Sequence, residues 1–181
     1  SCFQKDILNL VYICKSLGLN QAADYWEQVV IMNNHQRNRF AHQIVKSLHG
    51  TVAAKKIGFL GWAFKKDTND TRESAAIYIA DILIEERAYV QVFDPKVTLL
   101  QIRSDLNGLN TRSETENDKF LVNHSDPYET LNGTHAIAVI TEWDEFKSYD
   151  WPKIYERMQK PAFVFDGRNI LDQKKLESIG F

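Results

Sequence analysis

Residues 55–95 read KKIGFLGWAFKKDTNDTRESAAIYIADILIEERAYVQVFDP, and they predict a strand, a helix and a second strand. The apolar run that ends at Gly61 is typical of a buried strand, and YVQVFDP is a second such run ended by proline. Between them, RESAAIYIADILIEERA has the apolar spacing of an amphipathic helix. Strands joined through a helix run parallel, so this stretch predicts one unit of a parallel sheet that helices cover.

The same alternation continues to the end of the chain. Further strands are predicted at FLVNH (120–124), HAIAVIT (135–141) and PAFVFDGRNI (161–170), and further helices at DPYETLNGT (126–134) and DWPKIYERMQK (150–160). In DPYETLNGT, Asp126 has the position of an N-cap and Pro127 follows just inside the helix. The polar stretch 97–119 predicts an irregular surface excursion with at most one helix, near 98–106. The expected fold class is therefore α/β: a doubly wound, mainly parallel sheet of the nucleotide-binding type.

Residues 1–18 and 22–48 predict two amphipathic helices ahead of the sheet. The first has an apolar stripe with helical spacing at Ile7, Leu10, Val11, Cys14 and Leu17, and Gly18 fits its end. The stripe of the second helix is interrupted by Asn33, Asn34 and Arg37. Two interpretations remain open: a helix end or solvent-exposed patch, and a polar contact with another domain or subunit.

The composition excludes several classes of function. A net charge of −2 over 181 residues gives no basic surface for nucleic acid or for an anionic membrane. We see no apolar run long enough to span a bilayer and no signal peptide. Two cysteines cannot form a disulfide framework, and the five histidines lack metal-ligand spacing, so we expect no metal and a reducing, cytoplasmic setting.

Chemistry is expected beyond the carboxyl ends of the strands, where open parallel sheets bind ligands. After the first strand, Lys65, Lys66 and Arg72 precede a predicted helix that begins near Ser74, which favours an anion site. The alternative is a solvated basic loop, since no G-x-G-x-x-G fingerprint is present.

Two other strand ends carry charged residues. Arg168 follows the last strand and fits a phosphate or base contact, or else an ion pair with Asp166 or another acid. Asp94 fits a ribose hydroxyl, although capping the turn at Pro95 is the simpler interpretation.

Cys2 begins the first helix, and Lys5 and Asp6 share its face. A thiol at a helix N-terminus beside a lysine is expected to have a lowered pKa, which favours a nucleophile. The alternative is a terminal residue without a role.

Five motifs, SCFQKD, GWAFKKDTNDTRES, DPK, TEWDEF and FDGRN, occur in this order along the chain. Together they closely resemble the C-terminal portion of the nucleotide-sugar dehydrogenase family, and within it the animal enzymes that oxidise UDP-glucose. The resemblance covers essentially all of the chain. It implies that residues 1–52 end a central helical, dimerisation region and that residues 53–181 form a Rossmann-like UDP-binding domain. It also implies that the family's N-terminal NAD-binding domain is absent from this chain.

The resemblance implies a four-electron oxidation of UDP-glucose to UDP-glucuronate with two NAD⁺ and one water. Cys2 would be the nucleophile that holds the sugar's C6 carbon as a thiohemiacetal and then as a thioester. Asp6 would position or activate the hydrolytic water, and Lys5 would lie in the catalytic polar network. The family's catalytic lysine and glutamate lie upstream of this sequence.

The same match assigns the binding residues. Phe64, Lys65 and Arg168 would bind the UDP-sugar, whereas the residues near NAD would be Arg72, Ser1 and Cys2. Because the family forms dimers and hexamers, the resemblance also implies a homo-oligomer with the helix 22–48 in the subunit core.

Two positions depart from the family pattern, and two other functions stay open. Asn69 stands where glycine is usual and Trp62 where a smaller aromatic is usual; asparagine tolerates a left-handed turn, so we expect the loop to keep its shape. One alternative is a dehydrogenase for GDP-mannose or a UDP-N-acetylhexosamine. The other is a UDP-sugar-binding or oligomerisation module without catalysis, and we predict that residues 1–181 alone have no dehydrogenase activity.

Overall fold

The computed structural model describes the backbone of residues 2–181 and the side chains of residues 4–181. Its strands are β1 (Lys56–Leu60), β2 (Tyr89–Phe93), β3 (Leu121–Asn123), β4 (Ala136–Val139) and β5 (Phe163–Asp166). They form one sheet in the order β3-β2-β1-β4-β5, and every neighbouring pair is parallel. The predicted α/β class and parallel sheet are confirmed.

Eight α-helices accompany the sheet in the described part of the chain. They are α1 (Cys2–Ser16), α2 (Asn20–Ser47), α3 (Ala75–Glu85), α4 (Leu99–Asn107), α5 (Glu114–Phe120), α6 (Pro127–Thr130), α7 (Trp151–Arg157) and α8 (Gln173–Ile179), and a short 3₁₀ helix spans Asp144–Ser148. Among the described residues, none of these helices has the length and apolar character needed to cross a membrane.

The strands are apolar because helices cover both faces of the sheet. All four residues of β4 are buried, and so are the last four residues of β1 and of β2. Burial on both faces removes the alternation seen in half-exposed strands, which is why the sequence shows continuous apolar runs.

Side-chain caps fix where the helices begin. The carboxylate of Asp126 accepts from the Tyr128 N–H at 2.9 Å at the start of α6, as the sequence predicts. The hydroxyl of Ser74 accepts from the Ala76 N–H at 3.3 Å at the start of α3. Gly18 has a φ of 73° just after α1, the left-handed conformation that favours glycine at a helix end.

The stretch 97–119 contains more helix than its composition predicts. The expected helix near 98–106 is present as α4, but a second helix, α5, follows it. The Ser113 hydroxyl caps α5, and two residues of this helix, Asn117 and Phe120, are buried. The expectation of an otherwise irregular excursion is therefore wrong, because tertiary packing and a cap give this polar segment its helix.

The sheet and the N-terminal helices have separate apolar cores. Ile44 of α2 and Leu48, the residue after it, are buried in the large core around the sheet, so the end of α2 packs with the strands. Among the described side chains, the buried cluster between α1 and α2 consists of Val11, Cys14 and Ala23. Cys14 is buried there, as predicted.

The polar interruption of the second helix is not a helix end: Asn34 within it is exposed, whereas Arg37 packs against another helix. Helix α2 continues unbroken through it from Asn20 to Ser47. Arg37 is buried and packs over the ring of Tyr78 on α3, with 3.8 Å between its guanidinium carbon and the ring centroid. The polar break therefore marks a contact between the long helix and the sheet unit of the same chain.

Candidate functional site

A large cavity lies beyond the carboxyl edge of the sheet. The strand order reverses between β1 and β4, and at such a switch point open α/β sheets bind ligands. The cavity has a volume of about 860 Å³, and its lining includes Phe64 and Lys65 after β1, Ile140 after β4, and Asp166 and Arg168 at the end of β5. The structure therefore brings the predicted residues Phe64, Lys65 and Arg168 to one cavity.

The long helix α2 supplies the opposite wall. Its cavity-lining residues include Asn33, Gln36, Arg37, Phe40 and Gln43. They recur at three- and four-residue steps and so share one face of the helix. These cavity residues of α2 were not predicted from the sequence. The interruption of the apolar stripe was visible there, but an interrupted stripe does not by itself indicate a ligand.

The loop between β1 and α3 is held tightly against the end of β4. Gly61 has a φ of 98°, and a Cβ at this position would lie 2.3 Å from the Cβ of Thr141, so only glycine fits. The Thr141 hydroxyl donates to the Ala63 carbonyl at 2.6 Å, and the Phe64 N–H donates to the Asp70 carbonyl at 3.0 Å. These contacts place Phe64 and Lys65 at the cavity.

The three predicted cations of this loop do not act together. The Nζ of Lys66 lies 2.6 Å from the carboxylate of Asp144, which itself binds Lys147. The guanidinium of Arg72 forms two hydrogen bonds, of 2.9 and 2.7 Å, with the carboxylate of Asp70. Neither Lys66 nor Arg72 lines the cavity, so the structure does not bring the three cations together there.

These ion pairs hold both carboxyls in the charged form. The hydrogen bond from Arg72 lowers the pKa of Asp70 to about 2. Hydrogen bonds from Lys147 and Lys66 lower the pKa of Asp144 to about 2 as well.

Two other cations at the cavity have no such partners. Within the described part of the chain, no carboxylate lies within ion-pair distance of Lys65 or Arg39, and both residues are exposed and line the cavity. The Nζ of Lys65 lies 5.5 Å from the ring centroid of Phe64. An amine and a guanidinium in this state offer their full charge to an anionic ligand.

Arg168 fastens the cavity wall to its neighbouring loops. Its Nε donates to the Ile140 carbonyl at 2.5 Å, and its Nη2 donates to the Phe64 carbonyl at 2.8 Å. Its acidic partner is Glu142, at 3.2 Å, and not Asp166, whose carboxylate accepts from the Arg168 backbone N–H. The alternative of an ion pair with Asp166 or another acid is therefore borne out, with Glu142 as the acid, and Arg168 joins the ends of β1, β4 and β5.

Asp94 is occupied entirely by the protein itself. Its carboxylate is buried and accepts five N–H groups at distances between 2.7 and 3.1 Å; the donors are the backbones of Trp62, Ala63, Lys96 and Val97 and the indole of Trp143. The bonds from Lys96 and Val97 are the predicted cap of the turn at Pro95. A ribose hydroxyl would have to displace one of these donors, so we assign Asp94 to the structure of the loop.

The predicted catalytic residues lie at the start of α1. Ser1 is outside the described residues, and Cys2 is described only as the first residue of α1, without its side chain. Gln4, one turn into the helix, lines the cavity. Lys5 and Asp6 are exposed and are not among the residues that line it.

The two departures from the family pattern have different outcomes. Asn69 does not have a positive φ; the left-handed residues nearby are Asp67, with a φ of 65°, and Glu73, with a φ of 56°. The idea that Asn69 supports a left-handed turn is therefore wrong. Trp62 is fully buried, and its indole donates to Asp105 of α4 at 2.9 Å, away from the cavity.

No group of histidine, cysteine or acidic side chains in the described part of the chain has an arrangement that could hold a metal ion.

Comparison with known proteins gives consistent matches. A family model described as "UDP-glucose/GDP-mannose dehydrogenase family, UDP binding domain" matches residues 58–173. The chain is 51% identical to the UDP-glucose 6-dehydrogenase of Drosophila melanogaster, covering 100% of this chain and 38% of that protein. It is 50% identical to UDP-glucose 6-dehydrogenase 4 of Arabidopsis thaliana, covering 100% of this chain and 40% of that protein.

A solved structure is similar over the same extent. The UDP-glucose dehydrogenase of the archaeon Pyrobaculum islandicum aligns with a TM-score of 0.72 and 27% identity, over 100% of this chain and 37% of that one. The chain thus spans about two fifths of the length of the relatives that it matches.

Proposed function

Because the chain belongs to the UDP-glucose/GDP-mannose dehydrogenase family, we propose that its cavity binds the UDP moiety of a nucleotide sugar. The observation that carries the proposal is the meeting of Phe64, Lys65 and Arg168 at one cavity beside the switch point of the sheet. An aromatic ring suits a base, and an unpaired lysine suits a diphosphate. The cavity's volume of about 860 Å³ fits a ligand of this size.

We further propose that the chain is the substrate-binding part of an enzyme that oxidises UDP-glucose to UDP-glucuronate. The 50–51% identity to proteins named UDP-glucose 6-dehydrogenase supports this substrate. Cys2 would attack the C6 aldehyde, forming a carbon–sulfur bond while the carbonyl oxygen takes up a proton. Once this thiohemiacetal has been oxidised to a thioester, Asp6 would position the water that releases the carboxylate and frees the Cys2 thiol, with Lys5 in the same polar network. Gln4, on the same helix, lines the cavity. This position supports the proposal that the start of α1 faces the bound sugar.

The proposed reaction needs NAD, which supplies the two oxidation steps. The described residues do not fit a dinucleotide by themselves: the loop after β1 lacks the G-x-G-x-x-G pattern, and its exposed cation Arg72 is bonded to Asp70. We therefore derive no oxidation step from this chain. Arg72, with Ser1 and Cys2, is proposed to approach NAD that another domain holds.

We also propose a cytoplasmic homo-oligomer, from dimer to hexamer, in which other copies cover the N-terminal helices. Large apolar side chains are exposed there, among them Tyr12, Leu17 and Tyr25. Exposed apolar surfaces of this kind are typical of subunit contacts.

A second substrate class deserves a direct comparison. The matching family model also covers GDP-mannose dehydrogenases, so a guanine nucleotide sugar is the alternative. The GWAFKKDTNDTRES and FDGRN motifs favour UDP-glucose.

The proposed function is tested with the protein in which this chain is joined to an NAD-binding domain. NADH formation is measured with UDP-glucose, UDP-N-acetylglucosamine and GDP-mannose at equal concentrations. We expect UDP-glucose to be oxidised fastest, and a faster rate with GDP-mannose would contradict the proposal.

Two matched cysteine variants test the nucleophile. Cys2→Ala should abolish NADH formation, whereas Cys14→Ala, which changes a buried thiol between α1 and α2, should retain it. Equal activity of both variants would remove Cys2 from the mechanism. Residues 1–181 alone should form no NADH.

A further inference from the structure

The buried guanidinium of Arg37 is the least satisfied charge in the cavity wall. Its side chain is 9% exposed, and Arg37 lines the cavity from α2. One amino group, Nη2, donates to Asn34, and the guanidinium packs over the ring of Tyr78 at 3.8 Å. The other amino group, Nη1, is buried and has no hydrogen-bond partner in the described part of the chain.

The nearest carboxylate compensates this charge only in part. The Oε2 of Glu73 lies 3.7 Å from Nη1, beyond hydrogen-bond distance. The same oxygen already accepts from the Tyr78 hydroxyl at 2.9 Å, and the Glu73 side chain is partly exposed. A buried arginine stays charged, and removing it from water is costly unless its donors are paired.

The surroundings of Arg37 favour an anion as the missing partner. The cavity is lined by the cations Arg37, Arg39, Lys65 and Arg168 and by the acids Glu73 and Asp166. Asp166 is occupied, because its carboxylate accepts the backbone N–H groups of residues 168, 170 and 171 at 2.7–2.9 Å. Positive charge therefore dominates where Arg37 lies.

We propose that Nη1 of Arg37 donates a hydrogen bond to the diphosphate of the nucleotide bound in this cavity, a role that rests on the proposed function. Asn34 and the Tyr78 ring hold the guanidinium in place before the ligand arrives. The Glu73 carboxylate would compete only weakly with the diphosphate for Nη1 of Arg37. Because a guanidinium presents its donors in a rigid plane, it binds phosphate oxygens with defined geometry.

The test is calorimetric titration of the full chain with UDP. Arg37→Gln should weaken UDP binding at least tenfold. Arg37→Lys keeps the positive charge but loses the planar fork, and it should still weaken binding at least threefold. The matched control is Arg87→Gln, since Arg87 also lies near an aromatic ring, 5.7 Å from that of Phe120, but forms a surface ion pair with Glu116 outside the cavity. The control should bind UDP as the unaltered chain does.

Glu73→Gln separates ligand binding from a purely structural contact between α2 and α3. If Arg37 binds the diphosphate, removing the competing carboxylate should tighten UDP binding. If Arg37 only fastens the two helices, Glu73→Gln should weaken UDP binding, since it removes part of that contact. Thermal unfolding of each variant without ligand checks that the fold is kept.

The outcomes distinguish this inference from the proposed function. Undiminished UDP binding by Arg37→Gln, or weaker binding by Glu73→Gln, would overturn the role of Arg37 alone. Absence of UDP binding by the folded, unaltered chain would overturn the proposed function and this inference together.

Discussion

The sheet unit and the N-terminal helical hairpin bury their apolar residues to very different degrees. Around the sheet, large side chains such as Phe59, Trp62 and Phe146 are completely buried. Between α1 and α2, the buried cluster has three members among the side chains of residues 4–181, and all of them are small or medium-sized. Tyr12 of α1 is 72% exposed, and Leu17, just after α1, is 68% exposed.

This difference separates the part that we propose binds the nucleotide sugar from the part that we propose reacts with it. The cavity residues after β1, β4 and β5 are fixed by a large core and by hydrogen bonds between their loops. Cys2 begins the helix with the smaller core, whose stability depends on its packing against α2. Regions with few buried apolar contacts open most easily, so we expect α1 to be the first element to open.

The largest effect is expected at Asp94, in the sheet unit. Asp94→Ala removes the acceptor of five N–H groups and leaves several of them buried, which should cost about 3 kcal/mol or more of unfolding free energy. Urea denaturation measures the loss. Asp105→Ala is the control: Asp105 accepts from Trp62 and Gln101 and is only partly buried, so about 1 kcal/mol is expected. Equal losses would show that Asp94 does not hold the loops together.

A smaller effect distinguishes the two cores directly. Ile44 is fully buried in the core of the sheet, so Ile44→Ala should cost about 2–3 kcal/mol and speed amide exchange throughout the sheet. Val11→Ala should cost only about 1–2 kcal/mol, because it removes two methyl groups from the small cluster. In Val11→Ala, the faster amide exchange should be confined to α1 and the first turns of α2. If Val11→Ala also speeded amide exchange in the strands, the two regions would unfold as one unit.

The smallest effect concerns the ion pair on the loop of the site. The pKa of Asp70 is lowered to about 2, mainly by the hydrogen bond from Arg72, so the pair stabilises the fold fully above about pH 4 and its contribution is lost as the pH falls towards 2. A carbon-13 titration should show the Asp70 midpoint near pH 2. In Arg72→Ala the midpoint should rise towards the ordinary value of about 3.9. An unchanged midpoint would mean that Arg72 does not hold this carboxylate.

Much of the fold could be predicted from local patterns. The strands have continuous apolar runs bounded by Gly61, Pro95 or Gly167, and burial on both faces explains those runs. Helix α5 was not predicted because its residues ETENDKF are mostly polar, and its stability comes from the Ser113 cap and from the burial of its own residues Asn117 and Phe120.

The location of the candidate site could be predicted more readily than the residues that form it. The rule for open parallel sheets identifies the edge at which the cavity lies, and Lys65 lines that cavity. Nothing local distinguishes Lys65 from Lys66; the difference arises because Lys66 meets Asp144, which is 78 residues away in sequence. The proposed role of Arg37 was equally hidden in the sequence, since it depends on packing against Tyr78 of another helix.

The central claim, that this cavity binds the UDP moiety, is tested most directly by titrating residues 1–181 with UDP-glucose in a calorimeter. Two neighbouring lysines give a matched pair, because Lys65 lines the cavity and Lys66 is bonded to Asp144 outside it. We predict that Lys65→Ala weakens binding at least tenfold, about 1.4 kcal/mol, and that Lys66→Ala changes it less than about threefold. Equal losses in the two variants, or no binding by the folded, unaltered chain, would contradict the claim.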